Sequence, residues 1–559
     1  MRSQEMRQAA LEYLARGVPA AQLRFDPQTG LFLSDNGGWA VTHQDVILPL
    51  ALLYQTAGTQ YRQNPGVLSL AVRGGDALRN QQDQEGRFEF IKPDGSRWGK
   101  TYMCWSMYHW VEAYGLLRGE MDPQRRARWE AGLRLCFDGI IGELGDDPRV
   151  HNINCWHGMA LVRAAQLLGE NSWLEAGKRI IRRHVAAQSP EGYWEEGAGP
   201  TTSYNLVYVH AIGLYYWFAG DESVLPCLER ALDFHLRFTY PDGACVETVD
   251  GRVRHHGSCF TMGYPGFLPF PAGRRLVAHL LGRLALDRPD GAPSPYLAPV
   301  VMHLPDGPQE PIPQEKRDFV CVHHGRALVR RKGPWFYCLS GYLTPTEGIA
   351  EFSRHRWILD RQNYLSVWHE RAGLVIGGGN SKNQPEFSTF EVTSGRVRRL
   401  QADEATVQAD AERDVLKLSY GDVLCELSVS AGGDGQLELA FHVGRGPDER
   451  VKVTGGFTIP ALEGKTLCAS NRDAESTLDS IAQTGLGWPA STSQRWVQLG
   501  RLRIALPADS GFHWPVYPYN PYAINNAAAP AQAVAVVSFP LAPGGPAKKF
   551  RLTVTDVPG

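Results

Sequence analysis

The sequence predicts a multidomain α+β protein, with an N-terminal (α/α) toroid of helical hairpins followed by a C-terminal antiparallel β-sandwich. Three observations lead there. Up to about residue 285, apolar residues recur at helical spacing. From 286 to 318 the chain turns rich in Pro and Gly, as in LDRPDGAPSPYLAPVV. Beyond that stretch the apolar period drops to two. The implied division is a toroid domain over 1–285, a Pro-rich linker over 286–318 and a sandwich over 319–559.

Helical spacing predicts helices over 4–16, 45–57, 66–82, 102–117, 123–142, 152–168, 171–188, 204–219, 222–238 and 271–285. Three of them are followed by the same kind of turn: Glu85-Gly86-Arg87-Phe88-Glu89, Glu191-Gly192-Tyr193-Trp194-Glu195 and Asp242-Gly243-Ala244-Cys245-Val246-Glu247. Each is an acidic-Gly pair, then an aromatic or apolar residue, then Glu. Gly is the usual residue after a helix, because it accepts a left-handed backbone. The recurrence implies hairpins stacked side by side, either as a curved solenoid or as a closed toroid, with loops returning to one end. In the C-terminal half the period-two runs include 327–330, 335–339, 374–377, 415–418, 437–441 and 551–554, separated by Gly, Asp and Asn. No helix is expected beyond 320.

Bulk properties narrow the class of function. The chain has 559 residues, 43% hydrophobic and 21% charged, with a net charge of −2 and no long run of one sign. That is ordinary for a globular protein and argues against nucleic acid or an anionic membrane as the main partner. The start, MRSQEMRQAALEYLARG, reads as an amphipathic helix rather than a signal peptide, and no stretch is apolar enough to span a bilayer. The expected location is cytoplasmic, or periplasmic if a leader has been removed. The ten cysteines are scattered without a CxxC, so buried free thiols are expected. A homo-oligomer is compatible with the sequence.

Several polar clusters stand out. His151-Asn152-Ile153-Asn154-Cys155-Trp156-His157-Gly158 opens the helix expected over 152–168, and His151, Asn154 and His157 share a face at successive i, i+3 steps. Helix capping by Asn152 or Asn154 is the structural reading. A second cluster runs from Glu195-Glu196-Gly197 through a Gly-rich loop into a helix carrying Tyr204 and Tyr208 at i, i+4, with Asn205 and His210 beside them. A third, Glu247 to Gly257, holds Asp250, Arg252, Arg254, His255 and His256; Arg and His together suit a carboxylate or sulfate. The His255-His256 pair lacks companion ligands at metal spacing, so no metal is predicted, and no cofactor. In the β half, Arg354-His355-Arg356-Trp357 is the main polar patch, and Phe512 to Tyr522 is an aromatic-Pro stretch read as an interface. Trp98 and Tyr102 are the expected sugar platforms.

These residues resemble the polysaccharide lyases built from a helical toroid and an antiparallel sandwich, the alginate lyase and heparinase II/III-like families. Those families place an Asn and a His close together on one toroid helix, and a Tyr after a Gly-rich loop with Glu-Gly. Asn154 and His157 look like the first pair, and Glu196-Gly197 with Tyr204 or Tyr208 like the second. In the alginate-lyase pattern Asn and His are adjacent; here they are three apart, unless His151-Asn152 is the working pair. The resemblance implies β-elimination at a uronic acid of a poly- or oligosaccharide. Asn154 and His157 would neutralise the carboxylate, Tyr204, Tyr208 or His157 would act as base and Tyr204 or Tyr208 as acid, and His355 would complete the site. His151, Asn152, Glu196, Arg254, His256, Trp98 and Tyr102 would bind substrate. Two other readings compete. A glycoside hydrolase on the same scaffold would use a carboxylate pair among Glu195, Glu196, Glu247 and Asp250. A non-catalytic glycan-binding protein would use Trp98 or Tyr102 without turnover.

Overall fold

A computed structural model describes the chain apart from residues 36, 93–94, 145–147, 197–198, 253–256, 287–290, 345–355, 378, 433–434, 445–449, 461–465, 470–475, 478–494, 524, 530–531 and 556–559. The helices are α1 (Ser3–Arg16), α2 (Val18–Arg24), α3 (Ile47–Gln55), α4 (Pro65–Gln81), α5 (Cys104–Leu117), α6 (Pro123–Leu144), α7 (Asn152–Leu168), α8 (Asn171–Ala186), α9 (Thr202–Ala219), α10 (Leu225–Arg237), α11 (Tyr264–Phe267), α12 (Pro271–Leu286) and α13 (Ala298–His303). All ten helices expected from periodicity are present. The unforeseen ones, α2, α11 and α13, have 7, 4 and 6 residues, too few to display a period. Among the described residues no helix is long and apolar enough to cross a membrane.

The three acidic-Gly turns share one geometry. In each, the first residue of the turn donates to a carbonyl four residues on, and the Gly donates back to the first carbonyl. The bonds are Asp83 to Arg87 (3.0 Å) with Gly86 to Asp83 (3.1 Å), Ser189 to Tyr193 (2.8 Å) with Gly192 to Ser189 (3.0 Å), and Tyr240 to Ala244 (2.8 Å) with Gly243 to Tyr240 (2.9 Å). The glycines sit at φ +85°, +90° and +93°, where a side chain is strained. The apolar residue that follows is buried each time: Phe88, Tyr193 and Ala244. The turn therefore ends a helix and returns an apolar anchor to the core.

The chain forms two compact units. The helical unit comprises Met1–Trp194, Tyr204–Asp233 and Cys259–Ile312. The sandwich unit comprises Glu195–Ser203, Phe234–Ser258 and Pro313–Gly559. Two loops of the sequence's helical half thus belong to the sandwich unit, including the third acidic-Gly turn. Local bonds account for this. The Trp368 indole donates to Asp242 (2.8 Å), and Gln314 donates to the carbonyls of Leu236 (2.8 Å) and Thr239 (3.0 Å). The Pro-rich stretch packs into the helical unit as far as Ile312. It carries α13, Arg7 donates to its Leu304 carbonyl, and Gln309 donates to the Met1 carbonyl (2.6 Å). Pro299 is tolerated there because it lies in the first turn of α13.

A strand pair not foreseen, Phe88–Ile91 with Arg97–Thr101, interrupts the helices. Among the described residues the sandwich unit holds a five-stranded sheet, a nine-stranded sheet, a second five-stranded sheet and a two-stranded pair, with antiparallel neighbours. Each predicted period-two run is a strand in it. The run Leu437–Val443 alternates buried and half-buried side chains, the signature of one wetted face. Phe441, Phe457, Phe539 and Phe550 form the aromatic centre of its core, with Phe539 and Phe550 centroids 4.6 Å apart. The nine cysteines whose side chains are described are all free, six of them buried.

Candidate functional site

In the helical unit the predicted groups gather around the starts of α7 and α9. His151 caps α7, accepting the Ile153 N–H on Nδ1 (3.3 Å), so the cap is the His rather than Asn152 or Asn154. The His151 backbone is held from below by His184 of α8. The His184 Nδ1 donates to the Ile180 carbonyl (2.8 Å), which leaves Nε2 to accept the His151 N–H (3.2 Å). Burial lowers the His184 pKa and favours this neutral form. His184 was not singled out from sequence; one His inside a helix gives no pattern to read.

The two helices are joined directly. The Trp156 indole donates to the Val207 carbonyl of α9 (2.9 Å), and the Trp156 ring stacks on His210, 5.3 Å between centroids at 9°. Gly263 donates to His210 Nδ1 (3.0 Å), and burial drives the His210 pKa well down. Asn205, at the start of α9, accepts from the Trp194 N–H (3.3 Å) and donates to the Gly192 carbonyl (3.2 Å). It clamps the second acidic-Gly turn to α9.

Within this frame the predicted residues divide by access. Asn154 and Tyr204 are half-buried and His151 is exposed. Asn152, His157, Tyr102 and Tyr208 are buried. The Tyr208 ring stacks on Trp194, 4.9 Å at 14°, and lies 6.0 Å from His184. The Tyr102 hydroxyl donates to the Glu85 carbonyl (3.0 Å), so this residue packs rather than offering a face to sugar. Trp98 stands on the unforeseen strand pair at 54% exposure, with Lys92 Nζ 4.2 Å from its ring centroid.

His157 is held in one tautomer. Its Nε2 lies 2.9 Å from the Tyr102 carbonyl, which only accepts, so Nε2 carries the hydrogen. Nδ1 keeps its lone pair, is buried and has no hydrogen-bond partner among the described residues. Burial lowers the pKa to about 4, so the ring is neutral at physiological pH.

The sandwich unit gathers charge. The Arg252 Nη1 pairs with Glu196 Oε2 (3.3 Å), and its guanidinium carbon sits 4.6 Å from the Trp357 ring centroid. Asp250 accepts from the Thr202 hydroxyl (2.9 Å) and from the Arg252 N–H (2.7 Å). Arg356 lies on the same indole at 5.3 Å, and Tyr522 is 5.0 Å from it. In the sequence these residues lie in separate segments, and of them only Glu196 is an expected site residue. Their separation along the chain hid the cluster. Glu247 is buried and accepts from the Tyr240 hydroxyl (3.0 Å). Three of the four carboxylates a hydrolase would draw on are thus committed to local bonds. Arg254, His256 and His355 lie outside the described residues. Among the described residues no group of three or more His, Cys, Asp or Glu could hold a metal.

No protein-family model matches this sequence, and neither does any curated protein. Solved structures do. The chain is similar to the chondroitin AC lyase of Streptomyces coelicolor A3, solved with chondroitin sulphate, at TM-score 0.56 and 12% identity, covering 100% of this chain and 82% of that one. It is similar to a heparinase III at TM-score 0.51 and 11% identity, over 93% of this chain and 78% of the other. It is also similar to a mutant of the heparan sulfate lyase HepC from Pedobacter heparinus, at TM-score 0.51 and 10% identity, over 100% and 83%. The chain has the multidomain α+β fold of these polysaccharide lyases.

Proposed function

We propose that this protein is a polysaccharide or oligosaccharide lyase that cleaves a uronic-acid-containing glycan by β-elimination. The observation that carries the proposal is that an amide and a phenol, Asn154 and Tyr204, each stay half-buried rather than buried, the amide donating to the Arg149 carbonyl (3.4 Å). They sit in the first turns of two helices that Trp156 ties together, with a neutral His157 buried beside Asn154 on α7. The shared fold with chondroitin and heparan sulfate lyases supports the same reaction class.

The chemistry requires three acts. The C5 proton of a uronate is weakly acidic until its carboxylate charge is reduced, and the Asn154 amide supplies hydrogen bonds that stabilise the developing dianion. Tyr204, as phenolate, takes the C5 proton. The C4–O bond then breaks as the C4–C5 double bond forms, and the same phenol returns a proton to the leaving oxygen. Tyr208 is excluded from these steps by its burial on Trp194. His157 lies one helical turn beyond Asn154 on α7, with its ring fixed on the Tyr102 carbonyl.

The test is the ultraviolet absorbance of the new double bond, conjugated to the carboxylate, across a panel of uronate glycans. The expected result is product absorbance that Tyr204→Phe and Asn154→Ala abolish. Cleavage that yields new reducing ends without that absorbance sinks the proposal.

A further inference from the structure

We infer that Arg356, laid on Trp357 beside Arg252 in the sandwich unit, is the anion-binding residue of a sugar subsite that takes the carboxylate or sulfate of an acidic glycan. The inference deepens the lyase reading by giving its substrate a charge-reading contact, and it rests on that reading for the glycan but not for turnover.

Two guanidinium groups share one indole, at 4.6 Å and 5.3 Å from its centroid. They are not equivalent. Arg252 has the Glu196 carboxylate at 3.3 Å, and its backbone N–H is held by Asp250. Both acids therefore serve the Arg252 side of the ring. Among the described residues Arg356 makes one hydrogen bond, from Nη2 to the Ala523 carbonyl (3.3 Å). Among the described residues its buried Nε has no hydrogen-bond partner and no carboxylate pairs with its guanidinium. A buried N–H of a permanently charged group without an acceptor is costly to leave so. An incoming anion removes that cost, and a planar oxyanion matches the guanidinium fork in two bonds.

The surroundings suit a sugar. Stacking on Trp357 fixes the guanidinium plane before any ligand arrives, which reduces the ordering that binding requires. Tyr522, 36% exposed and 5.0 Å from Trp357, adds an accessible aromatic face next to the charge. Sugars bind where an aromatic face and a charged fork stand side by side, and carboxylate and sulfate present the same oxygen pair to the fork.

Titration calorimetry tests this, with every protein carrying Tyr204→Phe so that no ligand is consumed. The probes are chondroitin oligosaccharide, which bears carboxylate only, its sulfated form, and a neutral oligosaccharide of equal length. The parent is expected to bind the acidic probes, and more weakly as salt rises. Arg356→Gln is expected to weaken that binding at least about tenfold and to flatten the salt dependence, and Arg356→Lys to weaken it by several-fold. An equal loss on both acidic probes identifies the carboxylate as the recognised group; a loss on the sulfated probe alone identifies sulfate. Affinity for the acidic probes unchanged within about twofold in Arg356→Gln overturns the inference, as does equal binding of the neutral probe. Should Arg356→Gln fail to fold, unchanged affinity in Arg356→Lys overturns it equally. The two readings separate cleanly. Binding through Arg356 with no unsaturated product from the wild type removes the elimination and keeps the subsite. Product formed at unchanged KM by Arg356→Gln alone removes the subsite and keeps the elimination.

Discussion

The helical unit and the sandwich unit handle polarity in opposite ways. At the starts of α7 and α9, and in α8 beside them, the candidate polar groups are tied to backbone: His151 to Ile153, His184 to Ile180 and His151, Asn205 to Gly192 and Trp194, His157 to the Tyr102 carbonyl, with burial lowering the pKa of His184 and of His157. In the sandwich unit the comparable cluster is ionic and aromatic: Glu196, Arg252, Arg356 and Trp357. The difference is physical. A proton-transfer group works best where burial keeps its neighbours uncharged and their tautomers fixed, whereas recognition of an acidic polymer needs permanent charge that water can reach. On the proposed function and the proposed subsite, the fold would separate proton handling from charge reading, and each half of that statement can be broken by experiment.

The largest expected effect is on turnover. Tyr204→Phe keeps the ring and removes the phenol, and general acid–base groups contribute about 10²–10⁴-fold, so kcat is expected to fall by that much with KM little changed. Tyr208→Phe retains the stack on Trp194 and should lower kcat less than about tenfold. Steady-state rates on the best uronate substrate check both. If the two variants exchange rank, proton transfer belongs to the buried Tyr208 and the division by access fails.

The next effect is on stability against pH, and its sign follows from burial. His157 has its folded pKa lowered to about 4, below the unfolded value of about 6.5. Between those values the unfolded chain binds the proton and the folded chain does not. Stability is therefore whole above about pH 6.5, falls as pH drops through the window, and loses no more below about pH 4. At roughly 1.4 kcal/mol per unit, His157 alone accounts for up to about 3 kcal/mol. His303, also in the helical unit and also lowered to about 4 by burial, adds to the same slope. Urea unfolding from pH 7 to pH 4 measures it, and His157→Phe is expected to flatten the slope. An unchanged slope shows that His157 binds the proton equally in the folded and unfolded chain, which would end the account of a His157 kept neutral by burial.

How much of this was legible in sequence depends on the range of the interaction. Helix and strand runs were readable because periodicity is local, and so was the acidic-Gly turn, whose left-handed glycines at 86, 192 and 243 are chemically dictated. That helices start at the Asn154–His157 and Tyr204 clusters was readable because helix spacing and a Gly-rich loop mark them. The partition of loops was not. Glu195–Ser203 and Phe234–Ser258 join the sandwich unit through bonds such as Trp368 to Asp242, which link residues 126 apart. The same reason hid the Arg252, Arg356 and Trp357 cluster. Burial also sorted candidates that composition could not: Tyr204 from Tyr208, and Trp98 from Tyr102.

The smallest effects probe how each unit is held. The sandwich core closes on large rings, as where Phe539 meets Phe550 at 4.6 Å. The α7–α8 pair instead closes on glycines. A Cβ at Gly177 would lie 2.6 Å from the Gly158 carbonyl oxygen, and one at Gly158 would lie 2.7 Å from the Ile180 side chain. A carbonyl within a helix cannot step aside, so Gly177→Ala should push α8 off α7 and cost about 1–3 kcal/mol. Gly282 in α12 is the control, because a Cβ there meets nothing within 4 Å. Gly282→Ala gains only helix propensity and lower unfolded-state entropy, and should stabilise by about 0.5–1 kcal/mol. Opposite shifts in the thermal midpoint of the two variants confirm that close backbone approach holds α7 against α8. Because α7 carries Asn154 and His157 while α8 carries His184, Gly177→Ala should also lower activity at temperatures where the chain stays folded. Gly282→Ala, remote in sequence from those residues, should leave activity unchanged.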